Sequence, residues 1–238
     1  MANFPFQRLQ ADLAALIART PAGQRLPSEP DLAKQLGVSR ATLREAMRSF
    51  ETQGLIRRRQ GSGTFVVGKV QALDSGLEVL ESLETMARRL GLEVSVSDLN
   101  IESIISDDEF STALSVPIGT PLTRVRRVVR ADSRPVAYLV DVLPENILHS
   151  KDMPDNFHGS VLDFLLGRGD SLTSSRANVS AIGATAEVAK ALEIQRGDVL
   201  LHFYSQLFDE NNKVVDYSLS YFIPGYFHFH IVRRVGTP

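Results

Sequence analysis

The chain has 238 residues, room for one large or two modest domains, and its 43% hydrophobic and 23% charged residues place it among globular rather than disordered, collagenous or coiled-coil chains. It contains no cysteine, which excludes disulfides, thiolate metal sites, cysteine nucleophiles and iron–sulfur clusters together. The formal charge of −2 hides an asymmetry: up to Lys69 there are 11 Lys and Arg against 5 Asp and Glu, a balance of +6, and beyond it 15 against 23, a balance of −8. A basic module followed by an acidic one suits an anionic polymer at the first and a separate task at the second.

No stretch approaches 18 uninterrupted apolar residues. The first turns of the chain set Arg8, Asp12 and Arg19 around a short apolar run, unlike a signal sequence, so we expect a soluble cytoplasmic protein with no membrane partner.

Residues 6–19 repeat Leu9, Leu13, Leu16 and Ile17 at helical spacing, and Thr20-Pro21-Ala22-Gly23 ends the run. Ser28, followed by Glu29-Pro30-Asp31, caps a second helix that should reach about Leu36, where Gly37 closes it. Ser39 caps a third, in which Leu43, Met47 and Phe50 share one face until Gly54. Residues 55–59 and 64–67 read as strands of a hairpin with Gln60-Gly61-Ser62-Gly63 at its tip. Residues 68–76 lack a period. We therefore expect one domain over 1–69, a linker at 70–78 and a second domain over 79–238.

In the second domain a helix is predicted over 79–90 and strands over 92–105, 121–130, 136–143, 172–182, 199–208, 213–222 and 227–235. Asp132-Ser133 and residues 209–212 look like hairpin turns, so the sheet should be largely antiparallel. Short helices over 107–114, 160–166 and 185–192 make the fold class α+β.

Two helices separated only by Gly37-Val38, the second opening on a capping Ser39 and displaying Arg40, Thr42 and Arg44, form a helix-turn-helix, and the hairpin makes it winged. Leu43, Ala46, Met47 and Phe50 would lock the third helix into a small core. Its first turn is then free to enter a DNA major groove about 12 Å wide, with Arg40 and Arg44 one turn apart and each able to grip guanine O6 and N7. Arg48 and the run Arg57-Arg58-Arg59 lie farther along and suit phosphates, while Gly61 and Gly63 let the hairpin backbone approach DNA. The bland alternative is a solvated helix face and an edge strand guarded by charge. The helix spacing, the wing and the +6 balance together favour double-stranded DNA, with Ser39, Arg40, Thr42, Arg44, Arg48, Arg58, Arg59, Gln60, Gly61 and Gly63 as the candidate contacts.

Other motifs lead nowhere. His228 and His230 alternate on one strand and could join Asp216 around a metal, but no complete ligand set is evident. Arg168-Gly169-Asp170 follows a short helix as a turn. No G-x-S-x-G, H-E-x-x-H or phosphate-loop pattern occurs, so we expect no catalytic residues, no metal and no cofactor.

The stretch LPSEPDLAKQLGVSRATLREAMRSFETQGLIRRRQGSGTFV, residues 26–66, resembles the winged helix-turn-helix of the GntR family of bacterial transcription regulators. That resemblance implies DNA contacts from Arg40, Thr42, Arg44 and the wing tip Gln60–Gly63. It also shows a departure, because Pro30 stands where the family commonly has Arg, with Lys34 nearby as a partial replacement. The remainder, with PLTRVRRVVRADSRPVAYLVDVLP and VVDYSLSYF, is similar to the UTRA effector domain of the HutC subfamily, which implies a chorismate-lyase-like fold over most of residues 75–235. The resemblance implies a small-molecule sensor on a homodimeric regulator, most simply a repressor. A dimer also answers a physical need, since one small winged helix touches too few bases and a pseudo-palindromic operator pairs two half-sites.

By the same resemblance Arg127 falls where relatives hold an anionic effector, Ser160 falls at a helix start that could support the anion, and Asp216 replaces a ligand-touching Glu. Leu139 and Phe222 stand where sugar-phosphate sensors place Glu and Tyr, so they would enclose a less polar part of the effector. From the residues alone, Arg127 lies on a strand face with Val125 and Val129 and needs a partner. Asp141 or Asp216 could supply it internally, or the effector could supply it as an anion. Two alternatives in function are a small-acid lyase, suggested by the fold analogy, and a DNA binder without an effector.

Overall fold

The structure is a computed structural model describing residues 4–59, 62–67, 73–154, 157 and 159–232, and the side chains of Phe4, Pro5, Thr52 and Asp74 are left aside. The chain divides into two compact units, Met1–Ala72 with Pro224–His228, and Leu73–Ile223 with Phe229–Pro238.

In the first unit α1 (Phe4–Arg19), α2 (Glu29–Leu36) and α3 (Arg40–Thr52) are followed by the hairpin strands β1 (Ile56–Arg59) and β2 (Gly63–Val66). The stripe of Leu9, Leu13 and Ile17 on α1 meets Leu32 and Ala33 of α2, and Leu43, Ala46, Met47 and Phe50 of α3, in one core that also takes Ile56 and Val66. The α2–α3 turn is tight because Gly37 adopts φ +66°, a left-handed conformation that costs glycine nothing, and its N–H satisfies the last carbonyls of α2. Residues 23–26 run beside β2, with Leu26 N donating to Thr64 O at 2.8 Å and Val66 N to Gln24 O at 2.8 Å. This third ladder fixes the wing.

In the second unit β3 (Leu73–Gly76) and α4 (Leu83–Arg89) precede β4 (Val94–Ile105), α5 (Asp108–Leu114), β5 (Pro121–Ala131) and β6 (Arg134–Pro144). Then come α6 (Val161–Arg168), β7 (Leu172–Gly183), α7 (Ala186–Ala191), β8 (Val199–Asp209) and β9 (Val214–Phe222), and last β10 (Phe227–His230), whose residues are divided between the two units. The main sheet has six strands in the order β4-β5-β6-β9-β8-β7, every pair antiparallel. The β5–β6 hairpin turns through Asp132 and Ser133, both at positive φ, as a two-residue connection requires. One face of the sheet carries Val125, Leu143 and Leu207, which pack with Val161 and Leu165 of α6 and with Leu148, Met153 and Phe157.

Three sequence expectations meet a different structure. Of the linker expected at 70–78, residues 70–72 lie outside the described residues, but Leu73–Gly76 form a strand that pairs with β10. That pairing spans the length of the second domain, so no local period announces it. The helix expected over 79–90 begins only at Leu83, because Ser82 caps it, its Oγ accepting from Thr85 N at 3.0 Å. The expected strand over 227–235 ends at His230, with Ile231 and Val232 described but not in a strand, and residues 233–235 lie outside the described residues.

Candidate nucleic-acid interface and effector site

The first turn of α3 is built by its cap. Ser39 Oγ accepts from Thr42 N at 3.0 Å and lies 2.8 Å from the Thr42 hydroxyl, so the backbone turn and a polar side chain are fixed together. With Leu43, Ala46 and Met47 buried, Arg40, Thr42 and Arg44 are left exposed. The Arg44 side chain is 55% exposed and donates from Nε to Glu29 Oε2 at 2.6 Å. Because that bond consumes Nε, the two terminal nitrogens remain as a fork for a planar acceptor pair.

The other basic residues are less free than their sequence suggests. Arg48 lies 3.8 Å from Glu45, at van der Waals rather than hydrogen-bond distance. Arg58, 30% exposed, donates from Nη2 to Arg44 O at 3.3 Å and stands 3.8 Å from Glu29 and 3.4 Å from Glu51. It therefore braces the base of the wing against α2 and α3 instead of standing free for a phosphate. Arg59 is exposed over the Phe65 ring at 5.2 Å. Gln60 and Gly61 lie outside the described residues. Gly63, at φ +108°, serves a neighbour: a Cβ there would collide with the guanidinium of Arg25, which crosses the wing through its bridge to Phe65. Sequence reasoning missed both Arg25 and Glu29, because each acts through a residue far along the chain.

In the second unit the register collects the effector candidates on one sheet face. Cross-strand partners point to the same side, and Arg127 faces Leu139, Val125 faces Asp141, Ala137 faces Phe222 and Leu207 faces Asp216. Arg127 is 4% exposed and its Nη1 donates to Asp141 Oδ2 in a very short contact. Asp216 is 6% exposed and lies within electrostatic reach of Asp141 and Arg127. Burial pushes the Asp216 carboxyl well above the usual carboxylate range, the charge of Asp141 adds to this, and Arg127 opposes it.

Leu139 and Phe222 are buried on the same face, with the Phe222 ring centroid 5.3 Å from that of Phe203 and 5.2 Å from that of Phe229. Ser160 is buried at the start of α6, where its Oγ accepts from Asp163 N at 3.2 Å. The cluster also contains Glu84 of α4, which sequence reasoning read only as a helix position. Burial raises its pKa, and Arg127 opposes the rise. Among the described residues no group of three or more His, Asp or Glu side chains could hold a metal ion.

Comparison with known proteins decides what this arrangement belongs to. The profile of bacterial regulatory proteins, gntR family, matches residues 6–66, and that of the UTRA domain matches residues 89–228, more than half of the chain. The chain belongs to the gntR family and carries a UTRA domain. It is a DNA-binding transcription regulator rather than an enzyme, which sets aside the lyase alternative.

This GntR-family regulator is 28% identical over 218 residues to a probable fructoselysine utilization operon transcriptional repressor of Escherichia coli (strain K12), covering 89% of this chain and 86% of that one. It is 27% identical over 197 residues to the HTH-type transcriptional repressor NagR of Bacillus subtilis (strain 168), covering 82% and 79% respectively. In fold it is similar to PhnF from Mycobacterium smegmatis, with a TM-score of 0.66 at 20% identity over 96% of this chain and 100% of that one. The structure of YydK from Bacillus subtilis gives 0.59 at 19% identity, over 97% and 99%.

The α+β class and the antiparallel sheet expected for the regulator are therefore found, on the fold and the family alike. The structure pairs Arg127 with Asp141 and sets Asp216 within electrostatic reach of both, with Leu139 and Phe222 on the same face of the sheet. No helix among the described residues is long and apolar enough to cross a membrane.

Proposed function

We propose that the protein is a cytoplasmic repressor that binds a pseudo-palindromic operator as a homodimer, and that a small molecule reaching the Arg127–Asp141–Asp216 cluster changes its affinity for DNA. The observation that carries the DNA reading is the capped start of α3, which holds Arg40, Thr42 and Arg44 exposed while its opposite face is locked in the core. A fork of two Arg nitrogens at helical spacing reads guanine edges in the major groove. Arg59 and the wing tip then supply backbone contacts, with Gln60, Gly61 and Gly63 at the tip.

Support for a dimer comes from β7. It is an edge strand of 12 residues whose side chains are nearly all exposed on both faces, including Val179 at 48%. A bare edge of that length invites pairing, and a second copy related by a two-fold axis would extend the sheet in the antiparallel sense. The family resemblance points to an anionic effector, which would meet Arg127 in competition with Asp141. Effector control is supported by the UTRA match and by a buried polar cluster that a stable core does not need.

The test begins with a duplex selected from a random-sequence library by the wild-type protein. Sedimentation should show a dimer, and footprinting should protect two half-sites about one helical turn apart or a multiple of it. A monomer that binds one isolated half-site as tightly as the full site would overturn the proposal. For effector control, a compound that raises Tm must also change operator affinity, and it must do so only when Arg127 and Asp216 are intact.

A further inference from the structure

Both features that could attract an anion in the sensor unit are already answered within the chain. Arg127 is paired with Asp141. At the start of α6, the carboxylate of Asp163 turns back and accepts from Ser82 Oγ at 2.5 Å and from Thr85 Oγ1 at 3.2 Å, so an internal anion stands where two hydroxyls meet. What remains unpaired is of the opposite kind. Both carboxylate oxygens of Glu84 and Oδ1 of Asp216 are buried without a hydrogen-bond partner among the described residues, as are Thr123 Oγ1 and Arg127 Nε.

The charge balance agrees. Glu84, Asp141 and Asp216 all act electrostatically on the one guanidinium of Arg127, and Asp163 adds a fourth carboxylate beside Glu84. Three carboxylates around one cation leave an excess of buried negative charge, which is costly unless it is neutralised. A proton can neutralise it, and the raised pKa values of Asp216 and Glu84 show the direction of that solution. A ligand can do so as well, and a metal ion is the wrong one, because the carboxylates do not converge as metal ligands. An ammonium or guanidinium group needs no such convergence. It offers several donors in different directions, which matches separated, acceptor-only oxygens and a hydroxyl.

We infer that the effector of this protein carries a basic nitrogen that pairs with the buried carboxylate of Asp216, with Glu84 supplying the second negative charge and Leu207, directly across from Asp216 on β8, as the apolar neighbour. Such a ligand supplies the positive charge that the cluster lacks. The inference rests on the reading of this cluster as the effector site and assigns its ligand a basic group, in place of the anion at Arg127 that the family resemblance implies.

The experiment is a thermal-shift comparison of matched probes that differ only in the basic nitrogen: glucosamine against glucose, 1,4-diaminobutane against 1,4-butanediol, and lysine against norleucine, with full-length protein. At least one amine should raise Tm, by roughly 5–10 °C at a hundredfold excess over Kd, while its neutral partner does not. Asp216→Asn should weaken that amine at least tenfold in titration calorimetry. Glu84→Gln should weaken it too, and it serves as the second test if Asp216→Asn does not fold. An amine set that shifts Tm no more than its neutral partners overturns the inference. If acidic or neutral compounds shift Tm and change operator binding through Arg127 and Asp216, the cluster remains the effector site and only the basic nitrogen falls. If an effector response survives both substitutions unchanged, the site reading itself falls.

Discussion

The two units expose opposite uses of arginine. On α3, Arg40 and Arg44 project from a helix whose other face does the folding, and the energetic links of Arg44 are one exposed ion pair with Glu29 and a carbonyl shared with Arg58. In the sheet, Arg127 is enclosed and its neighbours depend on it for charge. A reader of a polymer keeps its cations in water, where they cost little to hold and remain free to meet phosphate and base. A sensor of a small molecule keeps its charges in a low dielectric, where exchanging one partner for another moves the free energy by several kcal/mol. Function and stability are thus separable in the first unit and entangled in the second.

The largest effect that can break this comparison is Arg127→Ala. Removing the guanidinium leaves Asp141, Asp216 and Glu84 without their cation, and stability in urea unfolding should fall by about 3–5 kcal/mol. A loss below about 1 kcal/mol would mean that the cluster is already neutral without its arginine. Arg44→Ala should do the converse. Operator binding should weaken by about 1–3 kcal/mol and base preference should relax, with Tm almost unchanged.

Ser39→Ala sharpens the comparison, because here structure and reading meet. Losing the bond to Thr42 N should cost about 1 kcal/mol of stability and loosen the turn that carries Arg40, so both readouts should fall together. A subtler signature lies in pH. Asp216 and Glu84 have folded pKa values above their unfolded ones, so their contribution is complete below the unfolded carboxyl range and is lost as pH rises through the folded values. Asp216→Asn should flatten that loss in unfolding measured across the acidic to neutral range. Arg44→Ala should leave the profile alone.

How much of this was legible in the sequence follows the same division. The α2 and α3 caps, the turn at Gly37 and the exposure of Arg40, Thr42 and Arg44 rest on spacings of three and four residues, which a sequence displays directly. The sheet strands and the β5–β6 turn were readable from alternation and from Asp132-Ser133. Partnerships across the chain were not. The sequence left the partner of Arg127 open among Asp141, Asp216 and an effector, and only the register of β5 against β6 brings Asp141 to it. Glu84 and Asp163 come from helices whose own periods say nothing about the sheet they cover. The commitment of Arg58 to Glu29 and Glu51 was hidden for the same reason, since a run of three arginines looks alike whether or not one of them is a brace.

The measurement closest to the central claim is a pair of titrations at one salt concentration, operator duplex against random duplex, for Arg44→Ala and for Asp216→Asn, each accompanied by its melting curve. Arg44→Ala should lose operator discrimination with an unchanged Tm, and Asp216→Asn should keep effector-free discrimination while its Tm shifts. Discrimination lost in Asp216→Asn and preserved in Arg44→Ala would contradict the division of reading and sensing between the two units.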